Sequence, residues 1–382
     1  MIVMKILHVV NISFVIPFFL GKQLAYFSSK GYKEYVVCSP SNELEEFSRN
    51  YEFENHPIDI LRKFSLISDF KAIYHVYCLI KREKMDVVNG HTPKGALIAM
   101  IASFLARVPK RIYFRHGLVY ETSTGTKRYI LKCIDKFTAS LATKVVCVSP
   151  SLAKLSLEER LNPEYKQTIL ANGSCNGIDV NQFSEKTIDS NVLGAIKKEL
   201  SISDEDFLIG FTGRLVRDKG IIELVNAFKQ LQKRHHNLKL LLVGMFEERD
   251  AIPEDVIHMI ERDPHIINIG YVDNRRIPYY YLLMDVFIFP SHREGFGMSV
   301  IEASAMEVPV IASRITGCVD SIIENKTGLF IGKGEEEIFA AVEKLYWNPE
   351  LRQSLGKEGR QFVIHKFDQH LVWEDIEKLY MS

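Results

Sequence analysis

Two α/β units, each built on a doubly wound parallel sheet, are what this sequence predicts, and three observations predict them. Short strands that are apolar on both faces alternate with amphipathic segments of helical length. The alternation is broken once by a polar, Gly-rich stretch, and the 382 residues exceed what one hydrophobic core usually supports. Strands apolar on both faces need helices on both sides, which means parallel pairing through helical crossovers. With 47% hydrophobic and 25% charged residues, the composition excludes a disordered chain or a coiled coil.

In chain order, KILHVV (5–10), EYVVCSP (34–40), DVVNGH (86–91), RIYFRHG (111–117) and KVVCVSP (144–150) read as strands. KGALIAMIASFLA (94–106) and RYILKCIDKFTASLA (128–142) read as helices among them. The theme then repeats. FLIGFTG (207–213), LKLLLVG (238–244), INIGYV (267–272), VFIFPS (286–291) and VPVIAS (308–313) are strands, with GIIELVNAFKQLQKRH (220–235) and GMSVIEASAM (297–306) as helices. The Asn-, Gly- and Ser-rich stretch at 169–190 marks the boundary. The expected organisation is a first domain at 1–175, a second at 176–360 and a C-terminal helical segment at 361–382 that packs back on the first domain.

The net charge is zero, yet residues 1–170 carry 24 Lys+Arg against 15 Asp+Glu and the remainder carries 24 against 33. Either the surfaces simply fluctuate, or the basic half faces an anionic acceptor or an acidic bilayer. Six widely spaced cysteines without a CxxC pair, mostly in apolar stretches, suit reduced, buried thiols rather than a disulfide framework or a zinc site. The apolar start is interrupted by His8, Asn11, Ser13 and Pro17 and no small-residue cleavage site follows, so it is read as structure rather than a signal peptide. No apolar run of 18 or more residues suggests a membrane span, and the expected compartment is the cytoplasm.

Two constellations carry chemistry. In FLIGFTGRLVRDKGIIELVNAF a strand runs into Gly213, Arg214 and Lys219 flank a loop, and Gly220 opens a helix. A glycine, a helix start and two cations suit a phosphate, although neither a Walker A loop nor G-x-G-x-x-G is present. Singly, Arg214 and Lys219 could equally be solvated loop residues. In VFIFPSHREGFGMSVIEASAM, Glu294 precedes a Gly-Phe-Gly turn and Glu302 lies early in the next helix. Such carboxylates accept hydrogen bonds from vicinal hydroxyls, and either alone could merely favour a helix N-terminus.

Taken together, EGFGMSVIE and GRLVRDKGI, with GHTPKGALIAMIASFLARVPKRIYFRHG and NGSCNGIDVNQF, resemble the retaining nucleotide-sugar glycosyltransferases of family 4. Within that family the stretches look like the branch of bacterial capsule, O-antigen and glycan-assembly enzymes similar to the PglA-type N-acetylgalactosaminyltransferases. The resemblance implies a GT-B fold, two Rossmann-like domains facing across a cleft. It implies that Arg214 and Lys219 neutralise a departing nucleoside diphosphate, that Glu294 holds the donor sugar and Glu302 the ribose, and that Gly213, Phe296, Gly297, Met298 and Ser299 line the donor site. His116 matches a first-domain histidine that approaches the reacting sugar in relatives, while a lone His after a strand is often structural. Relatives often carry a Gly-Gly turn after the first strand; here the loop reads NISFVIPFFLGKQ, so phosphate binding by its backbone is not expected. Phe18, Phe19 and Leu20 either form an apolar lip facing a lipid-linked acceptor or, as is expected of most of them, the buried face of the next helix.

The activity so implied is retaining transfer of a hexosyl or N-acetylhexosaminyl residue. The donor is a nucleoside diphosphate sugar, UDP-linked by preference and GDP-linked as the alternative. The acceptor is a glycan hydroxyl, carried on a polyprenyl diphosphate at the inner leaflet. No resident cofactor, metal or nucleic acid is implied, and no Asp-x-Asp stands at a strand end. Basic, apolar-striped stretches at 62–84 and 126–144 could rest on an anionic membrane, or simply cover a sheet. A nucleotide-sugar epimerase, a sugar phosphorylase and a non-enzymatic binding protein on the same scaffold are the other readings.

Overall fold

A computed structural model describes residues 4–63 and 65–382, and within them the chain forms two compact units. One comprises the chain up to Gly177 together with His370–Ser382; the other is Ile178–Gln369. The first sheet contains β1 (Lys5–Val9), β2 (Lys33–Cys38), β3 (Glu54–Pro57), β4 (Val87–Gly90), β5 (Lys110–Arg115), β6 (Lys144–Cys147) and β7 (Gln167–Thr168). The second contains β8 (Phe207–Thr212), β9 (Leu238–Val243), β10 (Ile266–Asn268), β11 (Val286–Phe289), β12 (Val310–Ser313) and β13 (Leu329–Ile331).

Strand order is β3-β2-β1-β4-β5-β6-β7 in the first sheet and β10-β9-β8-β11-β12-β13 in the second, with every paired neighbour parallel. The winding therefore reverses between β1 and β4 and again between β8 and β11. The crevice outside the carboxyl ends of the strands at such a reversal is where doubly wound sheets hold their ligands. Strands β3, β7 and β13, at or near the sheet edges, were not anticipated. The first two are short and polar, as ENHP and QT, so they lack the apolar run that marks a buried strand.

The C-terminal helix Gln369–Met381 belongs to the first unit. Val372, Trp373, Ile376 and Tyr380 lie on one side of it at helical spacing and are buried with Ile6, Phe27, Val87, Ile112 and Phe114. Burial of this kind contributes roughly 1.5–3 kcal/mol per large side chain. The Asp375 carboxylate accepts from the Ala171 amide at 2.8 Å, fixing the same helix to the segment after β7. The helix Pro349–Phe367 stays with the second unit, so residues 361–369 do not belong to the returning segment expected from 361. The expected boundary at 175/176 compares with an observed division after Gly177.

The reading of the cysteines needs correction. Cys38, Cys147, Cys175 and Cys318 are buried, but Cys78 and Cys133 are exposed on the helices Leu66–Glu83 and Gly125–Leu141. An apolar neighbourhood in sequence does not specify which face of an amphipathic helix a residue occupies. In the loop after β1, Leu20 is fully buried, whereas Phe18 and Phe19 are only partly so.

Candidate active site

At the reversal of the second sheet, the loops leaving β8 and β11 are laced together. Gly220, the residue before the helix Ile221–Gln232, has φ 71°, and a Cβ there would lie 2.1 Å from the Pro290 carbonyl oxygen just past β11. Only glycine tolerates both the left-handed backbone and that approach. The Asp218 carbonyl accepts from the His292 amide at 2.8 Å, and the Asp218 carboxylate accepts from Arg293 at 2.7 Å. His292 in turn meets Glu223 at 3.0 Å.

This lacing puts Lys219 against Glu294. The two form an ion pair with both side chains largely buried, and the Lys219 ammonium sits 5.0 Å from the centre of the Phe289 ring. The Ser291 hydroxyl donates to the same Glu294 oxygen at 2.9 Å. Arg214 points elsewhere: it is 42% exposed and pairs with Glu247, past the end of β9, at 2.9 Å. The two cations are thus held by different carboxylates on different loops.

Glu302 lies in the second turn of the helix Met298–Ala305. The buried Tyr281 hydroxyl donates to it at 2.8 Å and also meets the Thr212 hydroxyl, at the end of β8, at 2.6 Å. Tyr281 has one proton to give, so Thr212 donates to Tyr281. Burial raises the Glu302 carboxyl to about 7, against the hydrogen bond from Tyr281. The carboxylate therefore changes charge near neutrality, where a hydrogen bond from a sugar hydroxyl would favour its ionised form.

Gly297 precedes that helix with φ 78°, a conformation natural to glycine, and the helix start carries no side-chain cap. Its first amides are placed as an anion-binding helix terminus presents them. The Phe296 side chain is buried and packs edge-on against Phe367 at 5.0 Å, so only its backbone is available to a ligand. Met298 is partly exposed, and Ser299 is close enough to bond the Tyr281 phenol. Gly213 follows β8, its amide donating to the Val243 carbonyl at 2.9 Å. Lys219, Glu294, Gly297, Met298, Ser299, Glu302 and Gly213 thus gather at one sheet reversal, with Arg214 beside it.

His116 belongs to the first unit, just after β5, and has its own surroundings. Its ring stacks on Phe19 with centroids 3.9 Å apart and planes 6° apart. Its Nε2 meets His91 Nδ1 at 3.1 Å. Burial alone lowers the imidazole to about 3, so His116 is neutral across the physiological range. The stack on Phe19 is what the apolar loop after β1 does in place of a glycine turn.

Several site groups were missed. Glu247, Tyr281, Thr212 and Ser291 hold the expected residues in place, and only Glu247, an acid just past a strand, carried a readable signal. His8 and His91, on or just after strands that border the first reversal, were visible in KILHVV and DVVNGH. Among the described residues no group of three or more His, Cys, Asp or Glu side chains is placed to hold a metal ion.

Fold and site together define a two-sheet α/β transferase of the GT-B type. Residues 194–362 match the group 1 glycosyl transferases and residues 5–149 the glycosyl transferase 4-like domain, and the chain belongs to this glycosyltransferase family. It is 36% identical over 377 residues to the capsular polysaccharide biosynthesis glycosyltransferase CapM of Staphylococcus aureus, covering 98% of this chain and 96% of that one. It is 22% identical over 351 residues to an Escherichia coli UDP-Gal:alpha-D-GlcNAc-diphosphoundecaprenol alpha-1,3-galactosyltransferase, covering 91% and 88%. The crystal structure of Anabaena Alr3699/HepE in complex with UDP-glucose superposes with a TM-score of 0.80 at 16% identity, covering 99% of this chain and 100% of that one. The transferase assignment sets aside the epimerase, phosphorylase and binding-protein readings.

Proposed function

We propose that this glycosyltransferase moves a hexosyl or N-acetylhexosaminyl residue from a UDP-sugar to a hydroxyl of a polyprenyl-diphosphate-linked glycan, with retention at the anomeric carbon, in the assembly of a bacterial capsule or related surface polysaccharide. The observation that carries this reading is the Lys219–Glu294 pair beside the start of the helix Met298–Ala305, at the sheet reversal. Lys219, Arg214 and the helix amides stabilise negative charge as the diphosphate leaves, the main electrostatic demand of the reaction. Glu294, freed from Lys219 as the diphosphate takes that cation, accepts from hydroxyls of the donor sugar. Glu302 accepts from the ribose hydroxyls, with Tyr281 and Thr212 fixing its orientation.

Retention in glycosidases usually uses a carboxylate nucleophile. Here the departing phosphate oxygen takes the acceptor proton on the same face, and the protein contributes positioning and charge stabilisation. No metal is needed, because the cations and helix amides act on the diphosphate. His116, neutral by burial, is the candidate catalytic group that the first unit contributes. UDP is preferred over GDP on the relatives: the Escherichia coli protein is named for UDP-Gal and the Anabaena structure holds UDP-glucose.

The acceptor side is the first unit. Leu66, Ile67, Phe70 and Tyr74 are exposed at the start of the helix Leu66–Glu83, with Lys71, Lys81 and Arg82 exposed along it. Tyr129, Ile130 and Phe137 are exposed on the helix Gly125–Leu141, together with Lys127 and Lys136. Both helices pack against the helix Pro93–Leu105, so the two apolar and basic stripes share one side of the sheet. No described helix is long and apolar enough to cross a membrane. A surface of this composition rests on an anionic bilayer, where a lipid-linked acceptor resides. Phe64, in the same basic stretch, lies outside the described residues.

The test is release of nucleoside diphosphate from a panel of candidate donors with and without a polyprenyl-diphosphate-linked acceptor. Acceptor-dependent release with a UDP-sugar is expected; its absence across the whole panel overturns the proposal. In a parallel assay the protein should bind vesicles of anionic lipid at low salt and leave them as salt is added, and no binding at low salt removes the membrane.

A further inference from the structure

The first sheet carries a row of titratable groups, three of them buried, of which the proposed transfer chemistry uses only the last, His116. It crosses four adjacent strands, β2, β1, β4 and β5. Glu34 lies on β2 and His8 on β1, while His91 follows β4 and His116 follows β5. Registry explains the row. Ile6 pairs with Glu34, His8 with Asn89 and Asn89 with Ile112, so these positions share one face of the pleat. His91 and His116 continue that alternation past the ends of their strands.

The contacts are continuous. Glu34 Oε2 lies 3.0 Å from His8 Nε2, His8 Nδ1 lies 3.2 Å from His91 Nε2, and His91 Nδ1 lies 3.1 Å from His116 Nε2. Glu34, His8 and His91 are 4%, 1% and 1% exposed. The other carboxylate oxygen of Glu34 is buried without a hydrogen-bond partner. The titratable groups of neighbouring elements that face the row are Tyr380 of the C-terminal helix and Tyr32. Tyr380 accepts from Asn89 at 2.6 Å, and Tyr32 donates to Glu377, which is paired with Lys30. None of these places a positive charge against Glu34.

A neutral imidazole donates through one nitrogen and accepts through the other, so the row can be filled in only two ways while His91 and His116 stay neutral. In one, Glu34 is ionised, His8, His91 and His116 each carry their proton on Nε2, and His116 Nδ1 is a lone pair. In the other, one more proton is held by the Glu34–His8 pair, His91 and His116 carry theirs on Nδ1, and His116 Nδ1 is a donor. The tautomers of His91 and His116 are the same whether the extra proton sits on Glu34 or on His8. A proton taken up at His116 Nδ1 passes its Nε2 proton to His91 and so along the row. One N–H bond forms at His116 and one proton ends at the buried pair.

We propose that Glu34, His8, His91 and His116 form a proton-holding relay whose occupancy decides whether His116 presents a donor or an acceptor at the carboxyl end of β5. Glu34, His8 and His91 are positioning residues acting through His116. Burial supports the scheme energetically: it raises the Glu34 carboxyl above its ordinary range and lowers His91 and His116, so the stored proton does not rest on either of the latter. The inference deepens the role given to His116 above and rests on that reading only where it concerns sugar binding.

The experiment is long-range 1H–15N NMR of the 15N-histidine-labelled full chain from about pH 5 to about pH 9, a window that spans ordinary histidine titration. His91 and His116 are expected to stay neutral and to swap from Nε2–H at high pH to Nδ1–H at low pH at one shared midpoint. In Glu34→Gln, which keeps the size and the bond to His8 but takes no proton, that midpoint should fall by at least about one pH unit or leave the window. His91→Phe, which keeps a ring between its neighbours, should uncouple His116 from His8. An imidazolium at His116, separate midpoints, or a single tautomer throughout in the unmodified protein would overturn the relay. The spectra need no turnover, so an inactive protein that shows the swap removes the transferase reading alone. Normal turnover without the swap removes the relay alone.

Discussion

The two sheet reversals make an instructive pair. That of the second unit is built from charge: Lys219 with Glu294, Arg214 with Glu247, Asp218 with Arg293, and Glu302 poised near neutrality. That of the first unit is built from imidazole rings: His8, His91 and His116 in a hydrogen-bonded row, with Phe19 stacked on the last of them. On the proposed reading the same topology serves two needs: ion pairs that can be exchanged for the charge of a leaving diphosphate, and imidazoles that orient a hydroxyl.

The largest break in this contrast should come from Lys219→Ala. It removes the cation that pairs with Glu294 and, on the proposed reading, meets the diphosphate, so turnover should fall about 10²–10³-fold and affinity for nucleoside diphosphate should weaken as well, read by steady-state kinetics and calorimetry. Glu302→Gln should weaken nucleoside diphosphate binding by about ten- to a hundredfold at pH 8, the cost of losing the charged acceptor proposed for the ribose. In the unmodified protein the same affinity should decline as pH falls through about 7, because the protonated carboxyl is the poorer acceptor.

The raised Glu302 carboxyl also makes a stability prediction. Between the ordinary carboxyl range and about 7 the folded chain binds more protons at this site than the unfolded chain, so its stability contribution shrinks as pH rises through that window. Glu302→Gln should therefore gain in Tm relative to the unmodified protein between pH 5 and pH 8; a constant difference would contradict the burial of this group. The smallest effect is expected at the neutral reversal. Phe19→Ala removes the ring stacked on His116 and should cost about 0.5–1.5 kcal/mol beyond lost area, measured by denaturant unfolding.

Both sheets, and the grouping of Lys219, Glu294 and Glu302, were legible because apolar runs and glycine punctuation are local signals. Gly220 and Gly297 stand where the backbone is left-handed, and a reader of sequence can place such turns. The partners were not legible. Tyr281 is one of three consecutive tyrosines, and nothing in PYYYLL says which one reaches Glu302. Arg214 was grouped with Lys219 on proximity in sequence, but the four residues between them let it turn to Glu247. The histidine row was hidden for a different reason: its successive members are 25 to 83 residues apart and meet only through strand order, which periodicity does not reveal.

The central claim is that Glu294 serves the sugar while Lys219 serves the diphosphate, although the two are paired in the ligand-free chain. Parallel measurement of turnover and of affinity for free UDP in Glu294→Gln tests it most directly. Turnover should drop by about two orders of magnitude while the UDP Kd stays within about threefold. Equal losses in the two quantities would contradict the assignment and return Glu294 to a purely structural partner of Lys219.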